Sequence, residues 1–389
     1  MADAIVAGHL CLDLIPQFTS HAGDGMGDYV APGRLTEVGA MTLSTGGAVS
    51  NTGINLGRLD VDTQLMGKIG DDLFGRAILD IVRGYDPALA AGMVVVPGES
   101  SSYTVVINPP GVDRAFLHCP GANDTFGADD VRYDLLAQAR LFHLGYPPLL
   151  RRLYLDDGRE LAEMFQRAKG VGATTSLDLA MPDPAGPSGQ VDWRAVLRNA
   201  LPFVDLFVPS IEELWFMLDR AGFEAAERRV GAAGMLEALP AELVRALAEQ
   251  ALEWGARVVL LKLGTRGLYL RAAAALGELG RGAPGSLKQW QGQELWARPY
   301  RPRTVASTVG AGDAAIAGFL AAWLHGCAPS ESLNVAAAAG ASCVEEAGAT
   351  RGVRGWAQTR ARIAAGWLRL RNDSPGPGWA EASEGLWTR

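Results

Sequence analysis

STVGAGDA, at residues 307–314, runs directly into the apolar sequence AIAGFLAAWLHG, which is typical of a buried helix. Gly310 and Gly312 leave backbone N–H groups uncovered where this helix would begin, so unpaired donors and the positive end of the helix dipole meet at one spot. Such a spot suits a phosphate group. Asp313 lies beside it, and a carboxylate next to an anion site is unfavourable unless it has a task, such as taking a proton from an attacking hydroxyl. The same residues also fit a plain tight turn in which Asp313 caps the helix.

The composition excludes several other classes of protein. The chain has 389 residues, of which 48% are hydrophobic and 20% are charged, and its net charge of −8 does not suggest a uniformly basic surface for nucleic acid. The four cysteines form no CxxC pair or zinc pattern. No apolar run is long enough to span a bilayer, and the N-terminus lacks the basic segment of a signal peptide. We therefore expect a cytoplasmic protein with no nucleic-acid or membrane partner.

In the rest of the chain, apolar runs of strand length alternate with segments of helix length. AIVAGHLCLDLI at 4–15 is predicted as a first strand that enters a loop, and GGAVSNTGINLGRLD at 46–60 as a glycine turn that feeds a helix. RVVLLKLG at 257–264 is predicted as a buried strand. This alternation is typical of an α/β fold with a mostly parallel sheet covered on both faces.

Several segments interrupt the alternation. Residues 98–123 resemble a hairpin around a Pro-Pro-Gly turn, and residues 28–45 look short and extended, so together they predict a small β-sheet beside the main domain. Residues 272–296 are predicted as a surface insertion or hairpin. The last segment, 372–389, is rich in proline and glycine and is expected to be a loosely held C-terminal tail.

Five motifs occur in a fixed order along the chain. They are GGAVSN at 46–51, GKIGDDLFG at 67–75, PGAN at 120–123, LKLGTRG at 261–267 and STVGAGD at 307–313. In this order, over residues from about 4 to 350, the sequence resembles the PfkB (ribokinase-like) family of carbohydrate kinases, whose C-terminal signature is similar to DTxGAGD. The resemblance implies a ribokinase-like three-layer αβα sandwich at 1–371, with a mostly parallel central sheet and a small β-sheet lid from segments near 14–45 and 96–122.

The resemblance also implies a function and a role for each matching residue. The protein would use ATP and Mg²⁺ to phosphorylate a hydroxyl of a sugar-like small molecule, with Asp313 as the catalytic base. The residues implied as the anion hole for the transferred group are Gly310, Ala311 and Gly312. Those implied to bind the substrate are Asp13, Gly46, Gly47 and Asn51. Those implied to bind ATP are Lys262, Gly264, Gly267, Thr308 and Asn334, and Glu213 would help to organise Mg²⁺ through water.

Each of these side chains also has a purely structural interpretation. Asn51 could begin a helix, Lys262 could end a strand at the surface, and Asn334 could be an amide on a helix surface. Glu213 could be an acid in the first turn of a helix, where the dipole favours it. Two positions depart from the family pattern: Ser307 replaces the first aspartate of the C-terminal signature, and Ser210 replaces the asparagine of an NxxE motif.

The acceptor and the oligomeric state stay open at this level. A phosphosugar would need basic residues such as Arg34 or Arg114, and a nucleoside would need an aromatic slot from Tyr103 or Phe116. A sugar-binding regulatory protein with lost chemistry is a further alternative. A dinucleotide enzyme fits poorly because no GxGxxG follows the first strand. Pairing of exposed lid strands could give a homodimer.

Overall fold

The strands and helices follow the predicted alternation in most of the chain. The computed structural model describes residues 2–18, 23, 25–112, 114–371 and 373–389. The strands in these ranges are β1 (Ala4–Gly8), β2 (Cys11–Pro16), β3 (Met41–Gly46), β4 (Thr63–Met66), β5 (Lys68–Gly70), β6 (Val94–Val96), β7 (Tyr103–Ile107), β8 (Ala115–Cys119), β9 (Leu141–Gly145), β10 (Thr174–Leu177), β11 (Leu206–Phe207), β12 (Val258–Lys262), β13 (Leu268–Ala272), β14 (Glu294–Ala297), β15 (Ala380–Ser383) and β16 (Leu386–Thr388).

The α-helices alternate with these strands, and short 3₁₀ turns join several of them. The helices are α1 (Met26–Tyr29), α2 (Ala48–Arg58), α3 (Leu73–Tyr85), α4 (Tyr133–Leu136), α5 (Arg151–Tyr154), α6 (Arg159–Gly170), α7 (Trp193–Ala200), α8 (Ile211–Leu218), α9 (Arg220–Val230), α10 (Met235–Ala238), α11 (Ala241–Glu253), α12 (Ala311–Leu324), α13 (Pro329–Cys343) and α14 (Trp356–Ala364).

A ten-stranded sheet forms the centre of the molecule, in the order β15-β16-β14-β13-β12-β11-β10-β9-β1-β4. The six strands from β4 to β12 in this order pair in parallel, and the remaining strands pair antiparallel. Helices cover both faces: α6, α7 and α11 pack on one side, and α2, α12 and α13 on the other. The predicted mostly parallel sheet is therefore confirmed.

Strand β12 shows why the central strands contain continuous apolar runs. Val259 and Leu261 pack into the hydrophobic core on one face of the sheet, whereas Val258 and Leu260 pack into the core on the other face. Because successive side chains point to opposite faces, a strand covered on both sides needs apolar residues at every position. Because these central strands pair in parallel, their carboxyl ends lie together at one edge of the sheet.

The first strand expected in residues 4–15 is present, but the loop expected after it is wrong, because these residues form two strands in two different sheets. Strand β1 ends at Gly8, which has φ +123°, and a Cβ at this position would lie 2.2 Å from the carbonyl oxygen of Gly145. The chain turns here, in a conformation that favours glycine. Consequently Asp13 lies on strand β2 and not on a loop after the first strand.

Strand β2 belongs to a separate four-stranded sheet in the order β3-β2-β7-β8, which lies where the lid was predicted. Residues 19–22 and 24 of the first predicted lid segment and residue 113 of the second lie outside the described residues. We call this four-stranded sheet the lid sheet. Strands β2 and β7 of this sheet begin beside the carboxyl edge of the main sheet.

The C-terminal residues differ from the expected loosely held tail. Strand β16 pairs with β14 and β15 pairs with β16, so residues 380–388 extend the main sheet; residue 372 lies outside the described residues. The predicted insertion at 272–296 joins β13 to β14, and Leu276, Leu279 and Trp290 within it are buried. The proline and glycine content of the C-terminal segment did not indicate its pairing. Strand β16 binds to the open edge of β14, and this edge exists only in the folded sheet.

Candidate active site

Asp313 lies in the first turn of helix α12, with its side chain buried at the carboxyl edge of the main sheet. The hydroxyl of Tyr146 donates to its Oδ1 at 2.7 Å, and Thr52 donates to the same oxygen at 3.4 Å. The side-chain amide of Asn51 donates to Oδ2 at 3.1 Å. Gly310, and not Asp313, occupies the N-cap position. The carboxylate is therefore held by side chains of other elements, as a group with a task in the site would be.

Burial raises the pKa of Asp313 above its ordinary value. The ammonium of Lys262 and the hydrogen bonds from Tyr146 and Asn51 oppose this rise, because each stabilises the ionised carboxylate. Burial also raises the pKa of Tyr146 well above its ordinary value, and the nearby Asp313 adds to the effect, so the phenol stays protonated and donates. A carboxylate with a raised pKa accepts a proton more readily than an exposed one.

The turn before helix α12 has the geometry that an anion site needs. Gly310 has φ +74°, and a Cβ there would lie 2.3 Å from the Cβ of Ala349, so only glycine fits. A Cβ on Gly312 would lie 3.8 Å from Nζ of Lys262, which places this ammonium beside the turn. The N–H of Ala311 makes a long bond of 3.3 Å to the carbonyl of Thr308. Positive charge and helix N–H groups thus meet next to Asp313.

Lys262 ends strand β12 but is not exposed at the surface. Its Nζ lies 2.6 Å from Oδ1 of Asp178, which is fully buried directly after strand β10. Burial lowers the pKa of Lys262, but Asp178, Glu213 and Asp313 outweigh it and raise the pKa overall. Burial raises the pKa of Asp178 well above its ordinary value, with Lys262 acting in the opposite direction. The ammonium therefore stays charged within a group of three carboxyls.

Glu213 and Ser210 form a reciprocal cap at the start of helix α8. The N–H of Ser210 donates to Oε2 of Glu213 at 2.8 Å, and the N–H of Glu213 donates to Oγ of Ser210 at 3.4 Å. Ser210 thus has a structural role where the family pattern has asparagine. Ser307 accepts from the N–H of Val309 at 3.2 Å and stabilises the turn before the glycines.

A cavity of about 580 Å³ extends from Asp313 between helices α12 and α13 and the loop after strand β12. Besides Asp313, it is lined by seven residues of the predicted ATP set and anion hole: Lys262, Gly264, Gly267, Thr308, Gly310, Ala311 and Gly312. Glu213 lines it as well. Asn334 does not, because its Oδ1 accepts a hydrogen bond from Arg369, so the predicted adenine contact of Asn334 is not supported.

The predicted substrate residues meet on the other side of Asp313. The carboxyl of Asp13 packs against Gly46, where a Cβ would lie 2.5 Å from Oδ2 of Asp13. Gly47 has φ +92°, and a Cβ there would lie 2.4 Å from the carbonyl oxygen of His9. Burial raises the pKa of Asp13 to about 6, so the group is ionised at neutral pH and accepts hydrogen bonds. Asn51 contacts Asp313 directly, as described above.

The strand registers of the lid sheet place a row of polar side chains beside this carboxyl. Asp13 pairs with Ser44 on one side and Thr104 on the other, and Thr104 pairs with His118, so the four share one face. Nδ1 of His118 lies 2.9 Å from the hydroxyl of Thr104. We call these four residues the polar row. Tyr103 belongs to the opposite face and packs edge-on against Phe74, 5.2 Å away.

The ring of His9 lies between the polar row and Tyr146, the hydrogen-bond donor to Asp313. Its centroid lies 5.3 Å from that of His118 and 6.2 Å from that of Tyr146. Burial lowers the pKa of His9 to about 3, and His118 contributes, so the ring is neutral. Neither ring nitrogen has a hydrogen-bond partner in the part of the chain that the structure describes. Two buried polar atoms beside the polar row thus lack a partner among the described residues.

Three residues of this site were not among those predicted from the sequence. His9 follows strand β1, Tyr146 follows β9 and Asp178 follows β10. In open α/β sheets, ligands bind outside the carboxyl ends of the strands. That rule, applied to every predicted parallel strand, would have identified all three.

Within the described residues, no helix is long and apolar enough to cross a membrane. In the same ranges, no group of three or more histidine, cysteine or acidic side chains is arranged to hold a metal ion directly. Any metal at this site would therefore depend on water and phosphate ligands besides the protein.

With this geometry established, comparison with known proteins identifies the family. A model described as "pfkB family carbohydrate kinase" matches residues 1–354. The chain belongs to this family. The predicted ATP-dependent carbohydrate kinase is therefore confirmed at the level of the pfkB family.

An uncharacterized sugar kinase from Archaeoglobus fulgidus is 26% identical over 303 residues, covering 77% of this chain and 98% of the relative. Fructokinase-1 from Zea mays is 27% identical over 214 residues, covering 54% of this chain and 60% of that protein.

Solved structures confirm the ribokinase-like fold of this pfkB member. A fructokinase from Xylella fastidiosa with bound ATP superposes with a TM-score of 0.67 at 20% identity, covering 94% of this chain and 99% of that one. Ribokinase from Arabidopsis thaliana, complexed with ribose and ATP, also has a TM-score of 0.67, at 18% identity and with 92% and 98% coverage. At these identities the likeness concerns the fold.

Proposed function

We propose that this protein transfers the γ-phosphoryl group of ATP to a hydroxyl of an unphosphorylated sugar, with Asp313 as the base. The observation that carries the proposal is the position of Asp313 between two different surroundings. On one side lies the cavity with the glycine turn and Lys262, and on the other lies the polar row with Asp13 and His9. A kinase needs its base where an anion site and a hydroxyl-binding site meet.

The composition of the polar row favours an unphosphorylated acceptor. Carboxyl, hydroxyl and neutral imidazole groups suit sugar hydroxyls, which both donate and accept. Within the described residues Asp13 has no lysine or arginine partner, and its raised pKa reflects burial. Arg34 and Arg114 are exposed, and Arg34 donates to the carbonyl of Asp28 at 3.5 Å. A phosphosugar would instead require a cation in the row.

ATP as the donor is supported by the cavity and by the relatives. The N–H groups at the start of helix α12 and the ammonium of Lys262 suit the phosphates, and the apolar remainder of the cavity suits a base. Two of the similar solved structures are described with ATP bound. Gly264 and Gly267, which have positive φ angles, would let the backbone of the loop after β12 approach the nucleotide.

The proposed reaction forms one bond to phosphorus and breaks another. The acceptor oxygen attacks the γ-phosphorus, the bond from that phosphorus to the bridging oxygen breaks, and ADP leaves. Asp313 takes the hydroxyl proton and later releases it to solvent. Gly310, Ala311 and Gly312 would stabilise the charge on the transferred group through backbone N–H groups, and this charge is greatest in the transition state.

The acidic residues at the cavity fit a Mg²⁺ ion held largely through water. Glu213 lines the cavity, and Oδ2 of the buried Asp178 has no hydrogen-bond partner in the described ranges. Mg²⁺ keeps several waters and needs only one or two carboxylates besides phosphate oxygens. When bound, the ion neutralises phosphate charge. Ser307 and Ser210 are occupied by the turn and the helix cap, so they contribute less than the aspartate and asparagine of the family pattern.

The experiment is ATP turnover by the purified protein against neutral sugars, phosphosugars and nucleosides. We expect turnover with at least one neutral sugar and a loss of about 10² to 10⁴ in kcat in Asp313→Asn, the usual contribution of a general base. ATP binding should persist in that variant. Turnover with a phosphosugar or nucleoside alone would contradict the proposed acceptor. Tight sugar binding without turnover on any acceptor would contradict the kinase and favour a binding protein.

We also propose a homodimer through the lid sheet. Met41 and Leu43 on strand β3 and Leu117 on strand β8 share the face opposite the polar row, and all three are about half exposed. An apolar sheet face of this kind beside open strand edges suits a second copy of the same sheet.

A further inference from the structure

The end of the chain lies beyond the family match and forms part of the nucleotide cavity. The match ends at residue 354. Residues 367–371, which we call the C-terminal strap, run antiparallel to residues 299–301. The N–H of Leu370 donates to the carbonyl of Pro299 at 2.8 Å, and the N–H of Arg301 donates to the carbonyl of Leu368 at 2.8 Å. The strap is thus paired to the segment that follows strand β14.

One face of the strap is fixed by its contacts with Tyr300. The guanidinium of Arg369 lies 3.8 Å from the centroid of the Tyr300 ring, and the ring of Trp367 stacks on Tyr300 at 4.8 Å. Arg369 also donates to the carbonyl of Arg298 at 2.7 Å and to Oδ1 of Asn334. Asn334 therefore holds the strap in place.

The next residues of the strap reach the opposite rim of the cavity. Leu370 lines the cavity together with Tyr300 on one side and Leu236 on the other. Arg371 donates to Oε2 of Glu237 at 2.8 Å, and Glu237 also accepts from Thr265 at 2.9 Å. The strap is therefore connected to the loop after β12 across the cavity.

We propose that the C-terminal strap forms the outer wall of the base subsite, with Leu370 packed against the nucleotide base. This inference rests on the proposed use of ATP. The phosphates belong at the glycine turn beside Lys262, so the base must occupy the apolar remainder of the same cavity. That remainder is lined by Leu236, Tyr300, Val305, Ala341, Val344 and Leu370. Apolar walls of this kind are usual around the rings of bound ligands.

The experiment compares two leucines of the same strap. Leu370→Ser removes an apolar group from the cavity wall, whereas Leu368→Ser is a matched control, because Leu368 is 59% exposed and does not line the cavity. Calorimetry with a non-hydrolysable ATP analogue and Mg²⁺ should show affinity weakened about five- to tenfold in Leu370→Ser, the size expected for losing one leucine contact. Leu368→Ser should bind like the wild type.

Inorganic tripolyphosphate, which has no base, separates this effect from general damage. Its affinity should be equal in the wild type and in Leu370→Ser, and Leu370→Met should bind the analogue within about twofold of the wild type because it keeps an apolar contact. Equal affinity of the analogue for wild type and Leu370→Ser, or parallel losses for analogue and tripolyphosphate, would overturn the inference. Failure of the wild type to bind the analogue at all would overturn the proposed function itself.

Discussion

Gly310 and Gly312 belong to one turn but face different neighbours. Gly310 has a positive φ and lies against Ala349, whereas a Cβ on Gly312 would meet the Lys262 side chain no closer than 3.5 Å, an ordinary contact. The two glycines are therefore required for different reasons. The first allows the turn to form, and the second keeps open the space between the helix N–H groups and the ammonium.

The two alanine variants should separate these reasons. Gly310→Ala should lower the free energy of unfolding by about 1–3 kcal/mol, because it combines left-handed strain with a steric clash. Gly312→Ala should leave stability nearly unchanged but lower kcat by at least tenfold, because its methyl group occupies the anion site. Urea unfolding and steady-state kinetics measure the two effects. A full loss of stability in Gly312→Ala would show that this glycine also has a folding role.

The hydrogen bond from Tyr146 lowers the proton affinity of the Asp313 carboxylate. The tyrosine hydroxyl favours ionised Asp313, so Tyr146→Phe should raise the pKa of Asp313 further. The base is then protonated at a higher pH, and the acidic limb of the kcat/KM profile moves to higher pH. Since a hydrogen bond to a charged group contributes about 1.5–3 kcal/mol, kcat/KM should fall by roughly tenfold or more on that limb.

Another buried tyrosine provides the control for Tyr146→Phe. Tyr269 donates to buried Glu294 at 3.1 Å, so Tyr269→Phe removes a comparable buried hydrogen bond between two residues that do not line the cavity. It should lower stability without moving the pH profile. Identical pH profiles for wild type and Tyr146→Phe would refute the role of Tyr146.

Helix α8 keeps its N-terminal cap and its acidic residue at the cavity although its sequence departs from the family pattern. Ser210 caps the helix and leaves Glu213 at the cavity, so the acid keeps its place although asparagine is absent. Ser210→Ala should lower the free energy of unfolding by about 1 kcal/mol, whereas Ser210→Asn should preserve it, because asparagine is an equally good N-cap. The midpoint of chemical unfolding measures both. An unchanged midpoint in Ser210→Ala would show that the cap contributes no measurable stability.

The two faces of the lid sheet differ in chemistry, and each belongs to a different proposal. The polar row faces the proposed acceptor, and the apolar face with Leu43 and Leu117 points away from it. Because side chains alternate along a strand, neighbouring residues of β8 serve different faces. This alternation allows each face to be tested by itself.

At the scale of the whole molecule, the proposed dimer can be tested through the apolar face of the lid sheet. Sedimentation velocity should show a dimer for the wild type and a monomer for Leu117→Glu, because a charge would be buried in an apolar interface. Phe116→Glu is the matched control: Phe116 lies on the same strand and is also exposed, but on the opposite face, so this variant should stay dimeric. A monomeric wild type would refute the lid interface.

The motifs in the sequence were enough to predict the α/β fold and the family, and they pointed to Asp313 as the candidate base. Local signals carry these results. Glycines at 310 and 312 before an apolar helix indicate an anion site, and apolar runs at every position indicate strands covered on both faces. Such features depend on a few neighbouring residues and can be recognised without knowing the folded chain.

The remaining findings depend on contacts between residues far apart in sequence. The hydrogen bond from Tyr146 to Asp313, the pairing of strand β16 with β14 and the position of Leu370 at the cavity all arise only when the sheet forms. Asn334 illustrates the limit, because its Oδ1 accepts a hydrogen bond from Arg369, a contact that the sequence did not indicate. The sequence determines the chemistry of each side chain, but the packing that brings distant elements together determines which partner it contacts.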